Sequence, residues 1–135
     1  LTEYTPSNNR SQLTVTEHNR LVVDAYNANP TSMAAALNNF QKMAVEHKMV
    51  ILGSMGELGD VSFEEHCKIV EMLKQMELDD VWLVGDEFRK TGHPFLQFDN
   101  VEAVKARIAD CQPQGKYILI KGSNSQKLFQ LPELL

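Results

Sequence analysis

The chain has 135 residues, of which 43% are hydrophobic and 23% charged, and its formal net charge is -5. This size and composition are typical of one globular domain that needs no metal ion or disulfide to fold. The net negative charge, without a cluster of Lys and Arg, argues against nucleic acid as a partner. No apolar run approaches the roughly 20 residues that cross a bilayer, and the start LTEYTPSNNR lacks a signal-peptide pattern. We therefore expect no membrane insertion and a cytoplasmic location.

The start of the chain has the composition of a linker. It begins with Leu1 rather than Met, and its first ten residues are mostly polar. We therefore expect residues 1–10 to be an interdomain linker and the start of the domain, within a longer protein. Residues 11–135 are expected to form the domain itself.

The first half of the domain alternates between strand and helix patterns. A β-hairpin is predicted from alternating apolar and polar residues at Gln12 to Glu17, a turn at His18 and Asn19, and an apolar run at Arg20 to Asp24. Pro30 suits the first turn of a helix. Apolar residues then recur at helical spacing on one side, which holds Met33, Leu37, Phe40 and Ala44. Met49 to Leu52 reads as a buried strand.

The next helix is predicted to begin with a capping box formed by Ser62 and Glu65. Its apolar spacing predicts a buried stripe of Phe63, Cys67, Val70 and Leu73, widened by Ile69, Met72 and Met76. Cys67 falls within this pattern and Cys111 within a later helix. We expect both cysteines to be small buried hydrophobes rather than reactive thiols.

The remaining elements continue the alternation. They are strands at Val81–Val84, Phe95–Phe98 and Tyr117–Ile120, a short element at Glu87–Lys90 and a final turn before Pro132. Between the last two strands, Asn100 is predicted to cap a helix that buries Val101, Val104, Ile108 and Cys111. Strands that alternate with helices predict a mainly parallel sheet covered on both faces. The fold class is therefore α/β, a Rossmann-like three-layer domain with an antiparallel hairpin strand at one edge.

Three polar loops follow predicted strands: DAYNANP from Asp24, GSMGELGD from Gly53 and KGSNS from Lys121. Because the carboxyl ends of parallel strands share one edge, we expect these loops to meet there and bind a small ligand. Purely structural interpretations remain open. Asp24 and the asparagines could cap a helix, the glycines could serve a tight turn, and Lys121 could be a solvated lysine beside a turn.

The sequence lacks a complete catalytic set. GSMGELGD matches neither a dinucleotide fingerprint nor a phosphate-binding loop, and no cysteine and histidine spacing suits zinc. No glycine-flanked nucleophilic serine is present. His66, one helical turn beyond the GELGD loop, could orient that loop by hydrogen bonding, which we favour over a general acid or base role.

The combination of DAYNANPTSM, LGSMGELG followed by His66, and IKGSNS resembles the C-terminal domain of the Mur ligases. The resemblance covers the chain from about Ser7 onward. The run from Tyr26 to Pro30 resembles the member that adds D-alanyl-D-alanine to UDP-N-acetylmuramoyl-tripeptide in peptidoglycan synthesis.

This resemblance implies an ATP-dependent ligase with three domains. The missing N-terminal domain would hold UDP-N-acetylmuramoyl-tripeptide, and the missing central domain would hold most of the ATP and magnesium. The substrate carboxylate becomes an acyl phosphate that the amine of D-alanyl-D-alanine attacks. The domain in this chain would close over ATP and bring the amine, so it is expected to be inactive alone, with no catalytic or metal-binding residues of its own.

The resemblance also implies roles for individual residues. Arg10 would reach the nucleotide phosphates, Asp24 would accept hydrogen bonds from the ribose, and the loop beside the base holds Tyr26, Asn27 and Asn29. The candidates on the acceptor side are Glu57, His66, Lys121 and Ser123. Asn124 stands where family members commonly have Arg, and Ser54 stands where Asp is usual.

Two other classes of protein compete with this interpretation. A non-catalytic binding module of the flavodoxin or receiver type has the same alternation of strands and helices. A receiver would cluster its acids at the strand ends, whereas Asp24, Glu57 and Asp86 lie in different loops. A small hydrolase is disfavoured because the sequence offers neither a nucleophile nor a metal set.

Overall fold

The computed structural model describes residues 12–16, 19–24, 30–42, 47–55, 59–76, 78–122, 131, 134 and 135. Over these residues the elements are β1 (Gln12–Val15), β2 (Arg20–Asp24), α1 (Pro30–Lys42), β3 (Lys48–Gly53), α2 (Ser62–Gln75), β4 (Asp80–Val84), α3 (Asp86–Arg89), β5 (Leu96–Phe98), α4 (Val101–Asp110) and β6 (Tyr117–Lys121). A single 3-10 turn, Gly59–Val61, precedes α2. None of the described helices is both long and apolar enough to cross a membrane.

The strands form one six-stranded sheet in the order β1-β2-β6-β3-β4-β5. β1 pairs with β2 in antiparallel fashion, and the other four pairings are parallel. This confirms the predicted α/β fold with an antiparallel hairpin strand at one edge. The last strand, β6, lies between β2 and β3, so three strands that are far apart in sequence end side by side.

Helices cover both faces of the sheet, and each face has its own apolar core. Alternate strand residues point to opposite faces, so Val50 and Leu52 join one core while Met49 and Ile51 join the other. The first core is completed by α1, α2 and Phe88 of α3. The second is completed by α4 and the chain end, through Val101, Val104, Ile108, Leu131 and Leu135. The sheet is therefore covered by an apolar core on each face.

The start of α2 differs from the prediction. Val61 precedes the helix without a side-chain capping bond, and Ser62 is the first helical residue. The Ser62 hydroxyl donates to Glu87 Oε1 at 2.8 Å instead of capping the helix. The predicted capping box is therefore wrong, because the 3-10 turn leads the backbone into the helix and leaves the serine side chain to a partner on α3.

The buried face of α2 agrees with the predicted stripe at Ile69, Val70 and Leu73 but differs from it near the start of the helix. It consists of His66, Ile69, Val70 and Leu73. Phe63, predicted to be buried, is 52% exposed. His66 is buried near the start of the helix, and a pattern that counts histidine as polar does not include it.

Several smaller predictions can be compared with the structure. Met33, Leu37 and Phe40 of α1 are buried as predicted. Asn100 caps α4 as predicted, since its Oδ1 accepts from the Ala103 N–H at 3.0 Å.

The two cysteines are less buried than predicted. Cys67 is half-buried and Cys111 is exposed. Cys111 follows the last residue of α4, so it lies outside the buried stripe of that helix. The predicted final turn before Pro132 lies outside the described residues.

Candidate functional site

The described part of the chain includes three of the predicted site residues. Asp24 ends β2 and Lys121 ends β6, while His66 lies in α2. The remaining candidates lie outside the described residues; these are Arg10, Tyr26, Asn27, Asn29, Glu57 and Ser123, together with the variant position Asn124.

The carboxyl ends of the central strands bring Asp24 and Lys121 together. They are Cα partners in the parallel pairing of β2 with β6, and Lys121 is also the partner of Leu52 in β3. Two residues that are almost a hundred positions apart in sequence are therefore neighbours at the predicted ligand edge.

Lys121 is an interior residue of the fold. It belongs to β6 and is only 1% exposed. Leu119, two residues earlier, belongs to the core under α1 and α2, so strand alternation places Lys121 on the same face. The alternative of a solvated lysine beside a turn is therefore wrong, because the strand extends one residue further than predicted.

His66 connects α2 to the end of β3. Its side chain is 0% exposed, and its Nε2 accepts a hydrogen bond from the Met55 N–H at 2.9 Å. Its Nδ1 lies 2.6 Å from the Ser62 carbonyl oxygen. Met55 is the second residue after β3, so the histidine does orient the start of the following loop.

The surroundings of His66 favour the neutral imidazole. Burial lowers the pKa of His66, while the Ser62 carbonyl and the charges of Glu87 and Glu65 act in the opposite direction. The Phe88 ring packs edge-on against the imidazole, with ring centroids 4.7 Å apart. A buried ring with both nitrogens engaged has no free position for a substrate proton. These contacts therefore support the orienting role over general acid or base chemistry.

Glu87 completes the set of polar contacts around the first turn of α2. The hydrogen bond from the Ser62 hydroxyl lowers the pKa of Glu87, and the ammonium of Lys90 also contributes. Glu87 follows β4, whereas Met55 follows β3. Ser62 and His66 therefore link α3, which follows β4, to the segment that follows β3.

Ser54, to which the sequence assigned no role, joins the ends of β3 and β4. Its N–H and its hydroxyl both donate to the Val84 carbonyl, at 2.9 and 3.1 Å. It is 5% exposed. No local sequence pattern predicts this contact, because Val84 lies on a different strand.

The described residues offer no ready-made metal site. Nowhere among them do three or more His, Cys, Asp or Glu side chains form a group that could hold an ion. At the carboxyl ends of the strands the backbone positions of Lys121 and Asp24 lie side by side.

The family of the chain follows from a match along most of its length. Residues 9–124 match the family described as Mur ligase, glutamate ligase domain. The chain belongs to this family. The resemblance predicted from its three loop motifs is thereby confirmed, and the chain is a Mur ligase C-terminal domain.

Curated relatives resemble this Mur ligase domain over most of its length. The chain is 32% identical over 124 residues to the UDP-N-acetylmuramoyl-tripeptide--D-alanyl-D-alanine ligase of Treponema pallidum, which covers 84% of this chain and 27% of the relative. It is 33% identical over 126 residues to the enzyme of the same name from Rickettsia prowazekii, covering 88% of this chain and 28% of that one. The Mur ligase domain therefore spans little more than a quarter of these relatives.

A solved structure has the same fold. MurF ligase from Thermotoga maritima, in complex with ADP, superimposes with a TM-score of 0.79 over 98% of this chain and 31% of that one, at 21% identity. No feature of the fold or of the comparisons favours the flavodoxin or receiver alternative. In the flavodoxin type the first strand lies between the second and third, whereas here the last strand of the Mur ligase domain occupies the inner position.

Proposed function

We propose that this chain is the acceptor-binding and ATP-closing domain of an ATP-dependent ligase that adds D-alanyl-D-alanine to UDP-N-acetylmuramoyl-tripeptide. The observation that carries the proposal is the identity of 32% and 33% to two ligases of that name, across 84% and 88% of this chain. The joined bond is a peptide bond in the peptidoglycan precursor. The carboxylate is activated as an acyl phosphate, which the amine then attacks with release of ADP and phosphate.

The proposal divides the work between this domain and the rest of the protein. The relatives are more than three times as long as the part that the chain covers. We assign the UDP-N-acetylmuramoyl-tripeptide site to the missing N-terminal domain and the magnesium and phosphate-binding loop to the missing central domain.

The contribution of this domain is positioning rather than covalent chemistry. Phosphoryl and acyl transfer of this kind depends on alignment of the reactants and on neutralisation of charge. We propose that the nucleotide lies beside the loop that follows β2, with Arg10 on its phosphates and Asp24 on its ribose, and with the base near Tyr26, Asn27 and Asn29. We place D-alanyl-D-alanine near the loops after β3 and β6, where the candidates are Glu57, Lys121 and Ser123.

The choice of acceptor gives the sharpest test of this function. The full-length protein is incubated with ATP, magnesium and UDP-N-acetylmuramoyl-tripeptide, and the product is identified by mass after addition of D-alanyl-D-alanine, D-alanine, glutamate or diaminopimelate. We expect product and phosphate release with D-alanyl-D-alanine only. Product with glutamate instead, or with none of these amines, would contradict the proposal.

The proposed nucleotide residues are tested by matched substitutions. Arg10→Ala and Asp24→Asn in the full-length protein should raise the KM for ATP, because the first removes a proposed contact to the phosphates and the second removes the charge that strengthens a proposed contact to the ribose. The controls Arg20→Ala and Asp80→Asn alter the same residue types at the opposite edge of the sheet, at the starts of β2 and β4. They should leave the KM for ATP unchanged. Equal effects at both edges would count against the assignment.

A further inference from the structure

The hydrogen bonds of His66 define its tautomer. The Met55 N–H can only donate, so the Nε2 atom at 2.9 Å must be an unprotonated acceptor. The Ser62 carbonyl can only accept, so the Nδ1 atom at 2.6 Å must carry the proton. Both bonds exist together only in the neutral imidazole with its proton on Nδ1.

A second layer of contacts supports this histidine. Ser62, whose carbonyl accepts from the imidazole, also donates its hydroxyl to Glu87 at 2.8 Å. Phe88, the next residue on α3, packs edge-on against the ring. The imidazole is therefore fixed by α3 on one side and by the first turn of its own helix on the other, and it can transmit that position to Met55.

The backbone of Met55 is the point at which His66 contacts the segment after β3. Met55 is 2% exposed and is the second residue after the end of β3. Its N–H has no strand neighbour to bond, so His66 supplies an acceptor that secondary structure does not. A buried N–H that loses its acceptor costs more than the bond itself contributes, so the backbone would move to find another partner.

We propose that His66 is a positioning residue for acceptor binding that holds the backbone of Met55, just beyond β3, in place through the Met55 N–H, with Ser62 and Glu87 fixing the imidazole. The proposal rests on the proposed function only in its assignment of this segment to the D-alanyl-D-alanine side. His66 does not contact substrate in this account. It acts only on the backbone at Met55.

Two amide substitutions separate the two hydrogen bonds. In His66→Gln the side-chain oxygen can occupy the place of Nε2 and accept from Met55. In His66→Asn the shorter amide can occupy the place of Nδ1 and donate to Ser62, but it does not reach Met55. The two variants are similar in polarity and differ in the bond that the proposal invokes.

The structural arm measures amide hydrogen exchange at Met55 in the 135-residue chain. We expect His66→Asn to lower the protection of Met55 by roughly five- to tenfold relative to amides in β4, the effect of losing about one hydrogen bond. His66→Gln should retain protection within about twofold. Equal protection in both variants would overturn the proposal.

The unsubstituted chain offers the same test if the Asn variant fails to fold. Protonation of His66 removes the acceptor, so the protection of Met55 should fall as the pH is lowered from about 7.5 to about 5, and the imidazole shift should follow the same curve. The carboxylates that act on this titration are Glu87 from α3 and Glu65 from α2. Protection that persists after the ring has been protonated would overturn the proposal.

The kinetic arm uses the full-length protein. His66→Asn should raise the KM for D-alanyl-D-alanine by roughly five- to tenfold and leave the KM for ATP unchanged, and His66→Gln should restore the wild-type value. An equal rise in both KM values, or no rescue by Gln, would overturn the assignment to the acceptor side. If the wild-type protein makes no dipeptide adduct, the proposed function fails while the exchange result at Met55 still decides the role of His66.

Discussion

Asn19 shows how a single residue can tie distant parts of the domain together. It is 4% exposed, and its side-chain amide donates to the carbonyls of Pro113 and Leu135 at 2.9 and 3.0 Å. Its Oδ1 accepts from the Lys116 N–H at 3.2 Å. The hairpin, the entry to β6 and the chain end are thus joined by one amide whose donors and acceptor are all used.

Replacement of Asn19 should therefore be costly. Asn19→Ala removes the acceptor of the half-buried Lys116 N–H and the donors to the Pro113 and Leu135 oxygens, of which the Leu135 oxygen keeps its bond from the Thr16 hydroxyl. We expect the free energy of unfolding to fall by about 2 kcal/mol, since an orphaned group costs about 1–3 kcal/mol. Urea denaturation of the 135-residue chain measures the change. The control Asn39→Ala, on the exposed side of α1, should change stability by less than about 0.5 kcal/mol. Similar values for both variants would contradict this role.

The sequence could not have predicted these contacts of Asn19. It predicted a turn residue, because asparagine at a hairpin turn is a local pattern. The partners lie 94 and 116 residues away. His66 illustrates the opposite case, since its bond to Met55 spans only 11 residues and the motif of loop and helix was sufficient to predict its orienting role.

At the scale of elements, local periodicity predicted most strands and helices but not how they are arranged. The apolar spacing of α1 and the cap of α4 depend on residues within a few positions, and both predictions were confirmed. The insertion of β6 between β2 and β3 depends on pairing across almost the whole chain. The burial of His66 in α2 was missed because a histidine carries no apolar signal.

The amino ends of the strands, opposite to the proposed ligand site, are held by a small cluster of charged and polar side chains. Asp79, just before β4, accepts from His47 Nδ1 at 2.9 Å and from Lys116 Nζ at 3.3 Å. The hydrogen bond from His47 is the main cause that lowers the pKa of Asp79, with Lys116 adding to it. The cluster links the approaches to β3, β4 and β6.

This cluster should stabilise the domain in a pH-dependent way. A carboxyl group whose folded pKa is lowered contributes stability above its unfolded pKa of about 3.9, and the contribution is lost as the pH falls through the folded pKa. Because the Asp79 side chain is 41% exposed, we expect Asp79→Asn to cost less than about 1 kcal/mol at neutral pH. The difference from wild type, measured by urea denaturation, should shrink below about pH 4 and in high salt. A difference that is insensitive to both would show that charge is not its cause.

For the whole molecule, the two cores suggest that the domain folds without its proposed neighbours. Apolar residues are buried on both faces of the sheet, including Leu37 and Leu83 on one side and Ile51 and Ile120 on the other. A chain of this length can bury most of its apolar surface by itself. Its proposed chemistry, by contrast, requires parts that the chain does not contain.

The isolated 135-residue chain should therefore be folded and inactive. We expect a cooperative thermal transition, and no phosphate release when ATP, UDP-N-acetylmuramoyl-tripeptide and D-alanyl-D-alanine are added together. Circular dichroism and a coupled phosphate assay measure the two properties. Ligase turnover by the pure fragment would mean that the division of work between the domains is wrong.

The central claim is that ligands bind where β2, β3 and β6 end. Hydrogen exchange of the full-length protein, with and without ATP and D-alanyl-D-alanine, tests it most directly. We expect ligand to protect the segments around Asp24, Met55 and Lys121 and to leave those around His47 and Asp79 unchanged. Protection confined to the amino ends of the strands, or none anywhere in this domain, would contradict the account.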